Sequence, residues 1–464
     1  MARGISRRVP GNTSRYPFSR VITPMLATLV CLVLATTAPA AEQPVAIFHA
    51  FDQSFTDVKA FVCDLADQGY SHVQVTPAQK SNPSPEWWAR YQPVDYAVIE
   101  GKGSEADLRS LVARAHECGV KVLADVVFNH MANLPEFASL DFPGIDHTNF
   151  HSRCPISYTD GNRTTEIRCW LGGELPDLDQ TRPAVQAAHR AHLERLMALG
   201  IDGFRFDAAK HIPAEVVGQY VDLIDQRSGG KAWNYLEVIE DGDTKATDYN
   251  GVAAVTDFVL YTSLKNAFSF GGDLRSLRVP IAVDDPRSVT FGRTHDNIRE
   301  LSAQAINPYD DRTDALLATT YVLAREQGTP LVLNWDNHDS PAVREGVKFR
   351  QIMRQRAAAG GEVRENVLAV VDKPTILIME RGGEGFYLVN KAAEKLDLPV
   401  LDLTLTSLEG CYRELRNDFN VAIERRDGKK FVTRWGTWSR GGLEVQGRDA
   451  LYFIREPWSQ CQMR

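Results

Sequence analysis

The feature that most limits what this chain can fold into is a rhythm. Short β-rich runs at residues 45–50, 72–75, 121–127, 203–207, 234–238, 254–259, 288–291 and 330–333 alternate with helix-like stretches. Those stretches include 105–118 and 182–199, the second with Pro183 in its first turn, where a missing N–H costs nothing. Parallel strands need crossovers of this kind, and eight of them favour a closed (β/α)8 TIM barrel over an open sheet.

Two regions depart from the rhythm. Residues 131–181 are rich in Asp, Asn, Gly and Pro and follow the third run, where a loop on the catalytic face of a barrel would emerge. Beyond about residue 370, alternating strands at 375–379, 385–389 and 450–454 are separated by turn residues. The expected organisation is a leader at 1–40, barrel at 41–130, an inserted domain at 131–181, barrel again at 182–370 and a C-terminal antiparallel β-sandwich domain at 371–464.

The leader carries Arg3, Arg7, Arg8, Arg15 and Arg20 with no acidic residue, then an apolar run at 25–34, then Ala38-Pro39-Ala40. It reads as a secretory signal, with a membrane anchor as the alternative, and no membrane association is expected once it is removed. Removal of those five cations takes the net charge from −8 to about −13. Such a balance argues against nucleic acid as a partner, because polyanions need a cationic surface. Of seven cysteines, Cys31 lies in the leader. The remaining six suit disulfides in an exported chain, although the count does not fix their connectivity, and no CxxC spacing suggests a zinc ribbon.

Chemistry is concentrated where the strands should end. Asp125-Val126-Val127-Phe128-Asn129-His130 closes the third run, and the fourth lies within Gly203-Phe204-Arg205-Phe206-Asp207-Ala208-Ala209-Lys210-His211. Tyr235-Leu236-Glu237-Val238 closes the fifth, and Phe291-Gly292-Arg293-Thr294-His295-Asp296-Asn297 follows the seventh. A carboxylate in an apolar strand is costly unless paired, and barrel strand ends converge on one mouth. Three carboxyls there suit glycoside cleavage: one attacks the anomeric carbon, one protonates the leaving oxygen and one binds hydroxyls. Arg205, two residues from Asp207 on the same strand face, is placed to hold it ionised, and the apolar run around Glu237 suits an acid.

These four segments, in this order, resemble the α-amylase family of glycoside hydrolases, and within it the animal-type α-amylases and their bacterial relatives. The resemblance extends from about Val45 into the tail. It implies that Asp207 is the nucleophile, Glu237 the general acid/base and Asp296 the carboxylate that stabilises the transition state, supported by Arg205, His130 and His295. Trp87-Trp88-Ala89-Arg90-Tyr91-Gln92-Pro93-Val94 looks like the aromatic platform of the animal-type branch. Trp87, Trp88, Tyr91 and Gln92, together with Lys210 and His211, would then contact sugar. Calcium is the implied metal, held by Asn129, Asp177 and the backbone carbonyls of Arg168 and His211. The resemblance also pairs Cys63 with Cys118 and Cys154 with Cys169, leaving Cys411 with Cys461.

Departures from the family pattern matter too. Thr294 and Leu331 stand where many animal-type members place chloride ligands, so chloride is not expected as a cofactor. Their glycine-rich loop is replaced by Arg299-Glu300-Leu301-Ser302. A second Asn-His-Asp, in Trp335-Asp336-Asn337-His338-Asp339, competes with His295-Asp296, but its distance from Glu237 is too long for the family. The expected protein is a secreted, monomeric, calcium-dependent retaining endo-hydrolase of α-1,4-glucans such as starch, extracellular or periplasmic. A glucan transglycosylase or an exo-acting amylase is the nearest rival, and a catalytically silent glucan-binding protein is the rival from another class.

Overall fold

A computed structural model describes residues 41–369, 373–401, 407–435 and 440–461. The expected leader and Cys31 lie outside the described residues. Eight parallel strands form the barrel wall: β1 (Ile47–Ala50), β2 (His72–Val75), β3 (Lys121–Val127), β4 (Gly203–Asp207), β5 (Tyr235–Leu236), β6 (Ala254–Val255), β7 (Val289–Thr290) and β8 (Thr329–Leu333). They pair in the order β6-β5-β4-β3-β2-β1-β8-β7. A parallel bridge between Thr256 and Val289 closes the ring.

The crossovers are α1 (Phe55–Gln68), α2 (Glu105–Glu117), α3 (Pro183–Ala198), α4 (Ala214–Ser228), α5 (Phe258–Phe268), α6 (Arg312–Ala324), α7 (Asn334–Asp339) and α8 (Pro341–Ala358). Local chemistry sets their limits. Ser54 caps α1 by accepting from Asp57 N (3.0 Å), and Gly69 ends that helix in the left-handed region at φ 102°. Ser104 and Asp107 form a capping box on α2. The expected strand at 254–259 ends early, because Asp257 turns the chain into α5 by accepting from Leu260 N (2.7 Å).

Strand alternation divides the core into layers. Phe204, Phe206, Val126 and Leu236 point outward against the helices, whereas Ile47, Leu123, Tyr235, Val289 and Leu331 fill the barrel. The insertion after β3 is irregular, tied down by bridges His130–Asp177 and Phe150–Leu178. The tail begins earlier than expected, at Glu365–Ala369. Its antiparallel sheet runs on through Ile376–Arg381, Gly385–Asn390, Asp449–Glu456, Gly410–Glu414, Asn420–Arg426 and Lys429–Trp435. One face packs Leu377, Tyr387 and Tyr452 against α6 and α8. The other buries Phe386, Phe453 and Ile423 beneath a two-stranded sheet, Leu396–Leu398 with Leu443–Val445. All three disulfides form as expected: Cys63–Cys118, Cys154–Cys169 and Cys411–Cys461.

Candidate active site

The register of β3 on β4 sets Asp125 opposite Arg205 and Val127 opposite Asp207. With a side-chain period of two, Arg205 and Asp207 share the interior face. Nη1 of Arg205 lies 2.8 and 2.7 Å from the two oxygens of Asp125 and 2.9 Å from Asp207 Oδ1. Its Nη2 bonds Glu237 Oε1 at 2.5 Å. Glu237 continues the ladder beyond β5, its N–H donating to the Phe206 carbonyl (2.9 Å). Ala208, directly after Asp207, sits at φ 46°, a conformation that costs a non-glycine residue about 1 kcal/mol. That turn aims its N–H at Glu237 Oε2, 2.9 Å away.

Asp296 reaches the same point from a short 3-10 turn, His295–Asn297, after β7. Thr294 caps the turn by accepting from Asp296 N (3.3 Å), and Asn297 Nδ2 donates to the Ile306 carbonyl (2.7 Å). Thr294 Oγ1 also donates to Asp296 Oδ2 at 3.4 Å.

Four carboxyls thus surround one fixed cation. Burial works against the charge on Arg205, and the pull of Asp125, Glu237 and Asp207 outweighs it and keeps the guanidinium protonated. Burial pushes Asp125 up to about 6 against the pull of Arg205. Asp296 also rises through burial. Arg205 does bond Asp207 as expected, yet it does not hold that carboxyl low: burial and the charges of Glu237 and Asp125 carry it well above the usual carboxylate range. Burial thus shifts Asp125, Asp207 and Asp296 in the same direction, toward the neutral form.

Asp207, Glu237 and Asp296 line one cavity of about 280 Å3 with Trp87, Trp88, Tyr91, Gln92, His130, Lys210, His211 and His295, so the expected set is brought together. Arg205 lies beneath it. Tyr91 donates to Asp125 Oδ2 (3.2 Å), and its ring stacks on His295 with centroids 5.4 Å apart. Burial lowers His295 to about 3 and His130 and His211 to about 4, so all three are neutral near pH 7. Trp87 Nε1 donates to the Leu301 carbonyl (3.2 Å), and Lys210 Nζ pairs with Asp241 (2.6 Å). Gln92 Oε1 accepts from Asn82 (2.9 Å). Sequence reasoning passed over Leu171, Leu175 and Ile239, which form the apolar part of the wall. It also gave Asp125 no partner, although a fully buried carboxylate in an apolar strand signals one.

The competing Asn-His-Asp lies elsewhere. Asp336 pairs with Arg293 (2.8 and 2.5 Å) and accepts from Thr319 (3.1 Å), and Asp339 pairs with Arg312. Gly292 permits the first pairing, since a Cβ there would stand 2.2 Å from Thr319 Oγ1.

The side-chain amide of Asn129 donates to the His211 carbonyl (3.1 Å) and to Asp177 Oδ1 (3.2 Å). These three groups are thereby held together at the base of the insertion. The fully buried Asp177, bonded to His151 (2.7 Å), is pushed by burial up to about 7. The Arg168 carbonyl instead faces Cys154 Sγ at 3.9 Å, while the backbone carbonyl of Glu166 accepts from His211 Nδ1 (2.7 Å).

A (β/α)8 barrel with convergent carboxylates on its strand ends and an aromatic-lined cleft defines a glycoside hydrolase. No family model matches the chain. It is 31% identical to the α-amylase of Aeromonas hydrophila over 410 residues, covering 76% of this chain and 85% of that protein. It is also 31% identical to the α-amylase of Phaedon cochleariae over 347 residues, 68% of this chain and 70% of that one. The chain therefore belongs to the α-amylase family. Among solved structures, wild-type α-amylase I of Eisenia fetida shares the fold with a TM-score of 0.71 at 22% identity, covering 91% of this chain and 99% of that one. A cyclomaltodextrin glucanotransferase also shares it, at TM-score 0.66 and 18% identity, covering 90% and 100%.

Proposed function

We propose that the protein is a secreted retaining endo-hydrolase of α-1,4-glucosidic bonds in starch and related glucans. The observation that carries this reading is the pair of carboxyls, Asp207 and Glu237, spanned by the two terminal nitrogens of one guanidinium. One guanidinium bonded to both keeps the carboxyls close, as double displacement requires of its nucleophile and its acid/base.

In the reactive form the proton resides on Glu237 and Asp207 is ionised. Asp207 attacks the anomeric carbon as Glu237 gives its proton to the departing glycosidic oxygen, forming a glycosyl ester on Asp207. Glu237 then takes a proton from water, whose oxygen displaces Asp207 and restores the α configuration. Asp296 and the neutral His130 and His295 bond the sugar hydroxyls. Cavities of about 750 and 400 Å3 adjoin the carboxylate cavity through Trp87 and Ile239 respectively, so a chain can pass in both directions and present an internal bond.

NMR of the first product released from amylose tests the mechanism: the α-anomer supports retention, and an initial β-anomer overturns it. Hydrolysis and glucan transfer share the fold, and a time course of product lengths separates them. Asn129, Asp177 and the His211 carbonyl lie together, and with the amide oxygen of Asn129 turned inward they would hold calcium. The ion would neutralise the buried Asp177 and fasten the insertion to the barrel. Titration of chelated protein with Ca2+ should raise its melting midpoint, and the Asp177→Ala variant should lose that response. Among the described residues no helix is long and apolar enough to cross a membrane.

A further inference from the structure

Three segments meet at one end of the carboxylate cavity: the insertion, the turn after Asp207 and the loop after Glu237. On the last of these, the Asp243 carboxylate accepts from Asp160 N (3.0 Å) and Gly161 N (2.9 Å) of the insertion. Beside it Gly242 N donates to the Tyr158 carbonyl (3.0 Å), an approach open only to glycine, since a Cβ would stand 2.7 Å from that oxygen. Thr244 donates to the buried Glu166, also on the insertion. Residues 242–244 therefore latch one loop to the other by successive contacts.

The latch leads to a side chain in the cavity. Asp241 Oδ1 accepts from Asp243 N (2.9 Å) and Thr244 N (2.8 Å), and its Oδ2 accepts from Lys210 Nζ (2.6 Å). The same ammonium lies 4.6 Å from the centre of the Tyr158 ring. Both partners of the Lys210 head group thus stand on the latch, one on each side of it. The Lys210 backbone is held separately, its carbonyl accepting from Arg163 (2.7 Å) and from the Tyr249 hydroxyl (3.0 Å). Asp243 lines neither the carboxylate cavity nor the one of about 400 Å3 that continues it past Ile239.

We propose that Asp243 is a positioning residue for the leaving side of the cleft: by clamping the insertion to the loop after Glu237, it fixes Asp241 and Tyr158, and through them aims the Lys210 ammonium at hydroxyls of the departing sugar. The proposal rests on the glucan reading above. Glu237 protonates the departing oxygen, so the leaving part of the chain lies on its side, toward Ile239 and Lys210. A bond from an ammonium already held in place is stronger than one from a free lysine, because its ordering cost is met before the sugar arrives.

Two substrates isolate that side. Maltopentaose places sugar there, whereas nitrophenyl maltotrioside places only an aryl ring, and both use the same carboxyls. Asp243→Ala should lower the ratio of kcat/KM on maltopentaose to that on nitrophenyl maltotrioside about fivefold, with KM carrying most of the loss, while the aryl substrate stays within about twofold of wild type. Asp243→Asn, which keeps one accepting oxygen, should fall between. Gly242→Ala, which pries at the latch from its other contact, should give the same signature and decides the matter if Asp243→Ala does not fold. An unchanged ratio, or equal losses on both substrates as from general loosening, overturns the proposal. If the wild type cleaves neither substrate, the hydrolase reading falls and the proposal with it; wild-type cleavage of both with an unchanged ratio in the variants removes the proposal alone.

Discussion

Two buried arginines stand at the barrel mouth, and their surroundings differ in one respect. Arg293 meets one carboxylate, Asp336, with Thr319 completing the shell, so charge is balanced. Arg205 meets three: Asp125, Asp207 and Glu237. A balanced pair is spent on holding β7 and β8 in place. An outnumbered cation leaves carboxyl charge without a matching partner, which is what acid/base and nucleophilic chemistry requires.

The largest test of that contrast is Asp207→Asn, expected to lower kcat on soluble starch about 10^3-fold or more while leaving the melting midpoint unchanged or higher, since a strained carboxylate is removed. Reducing-sugar release and calorimetric melting together check it. Next, Asp296→Asn should lose most turnover and Asp339→Asn little; near-full activity in the first variant would undo the placement of the third carboxylate. Asp336→Ala should behave oppositely to Asp207→Asn. Stranding a buried arginine costs about 3–5 kcal/mol, so the midpoint should fall by several degrees.

The smallest effect concerns Glu345 on α8, which pairs with Arg416 of the tail (2.8 Å) and which burial raises to about 7 against that arginine. The folded protein therefore holds a proton that the unfolded chain releases near 4.5. The stability this group contributes is full below about 4.5 and is lost as pH rises through about 7. Glu345→Gln should flatten the melting midpoint across that interval.

Much of the site was legible because its residues sit at the ends of strands with strong β signals. Asp207 and Glu237 terminate runs that the sequence marks plainly, and their convergence follows from the barrel alone. Partnerships across strands were not legible. Asp125 pairs with Arg205 only through the β3–β4 register, 80 residues apart. His151 meets Asp177 across 26 residues of irregular loop, where no periodicity guides a reader. The overlong sixth strand arose because Phe258 and Val259 have strand propensity, which the cap at Asp257 overrides.

The junction between β6 and β7 rests on the Thr256–Val289 bridge and the adjoining hydrogen bond from Asp257 N to the Val289 carbonyl (2.8 Å). Asp207 and Glu237 lie on one side of this seam and Asp296 on the other, linked the long way round through β1 and β8. The thinnest joint in the staves therefore falls between Asp207 and Glu237 on one hand and Asp296 on the other, so a change in pairing there alters the gap between them while the guanidinium that yokes Asp207 to Glu237 stays untouched.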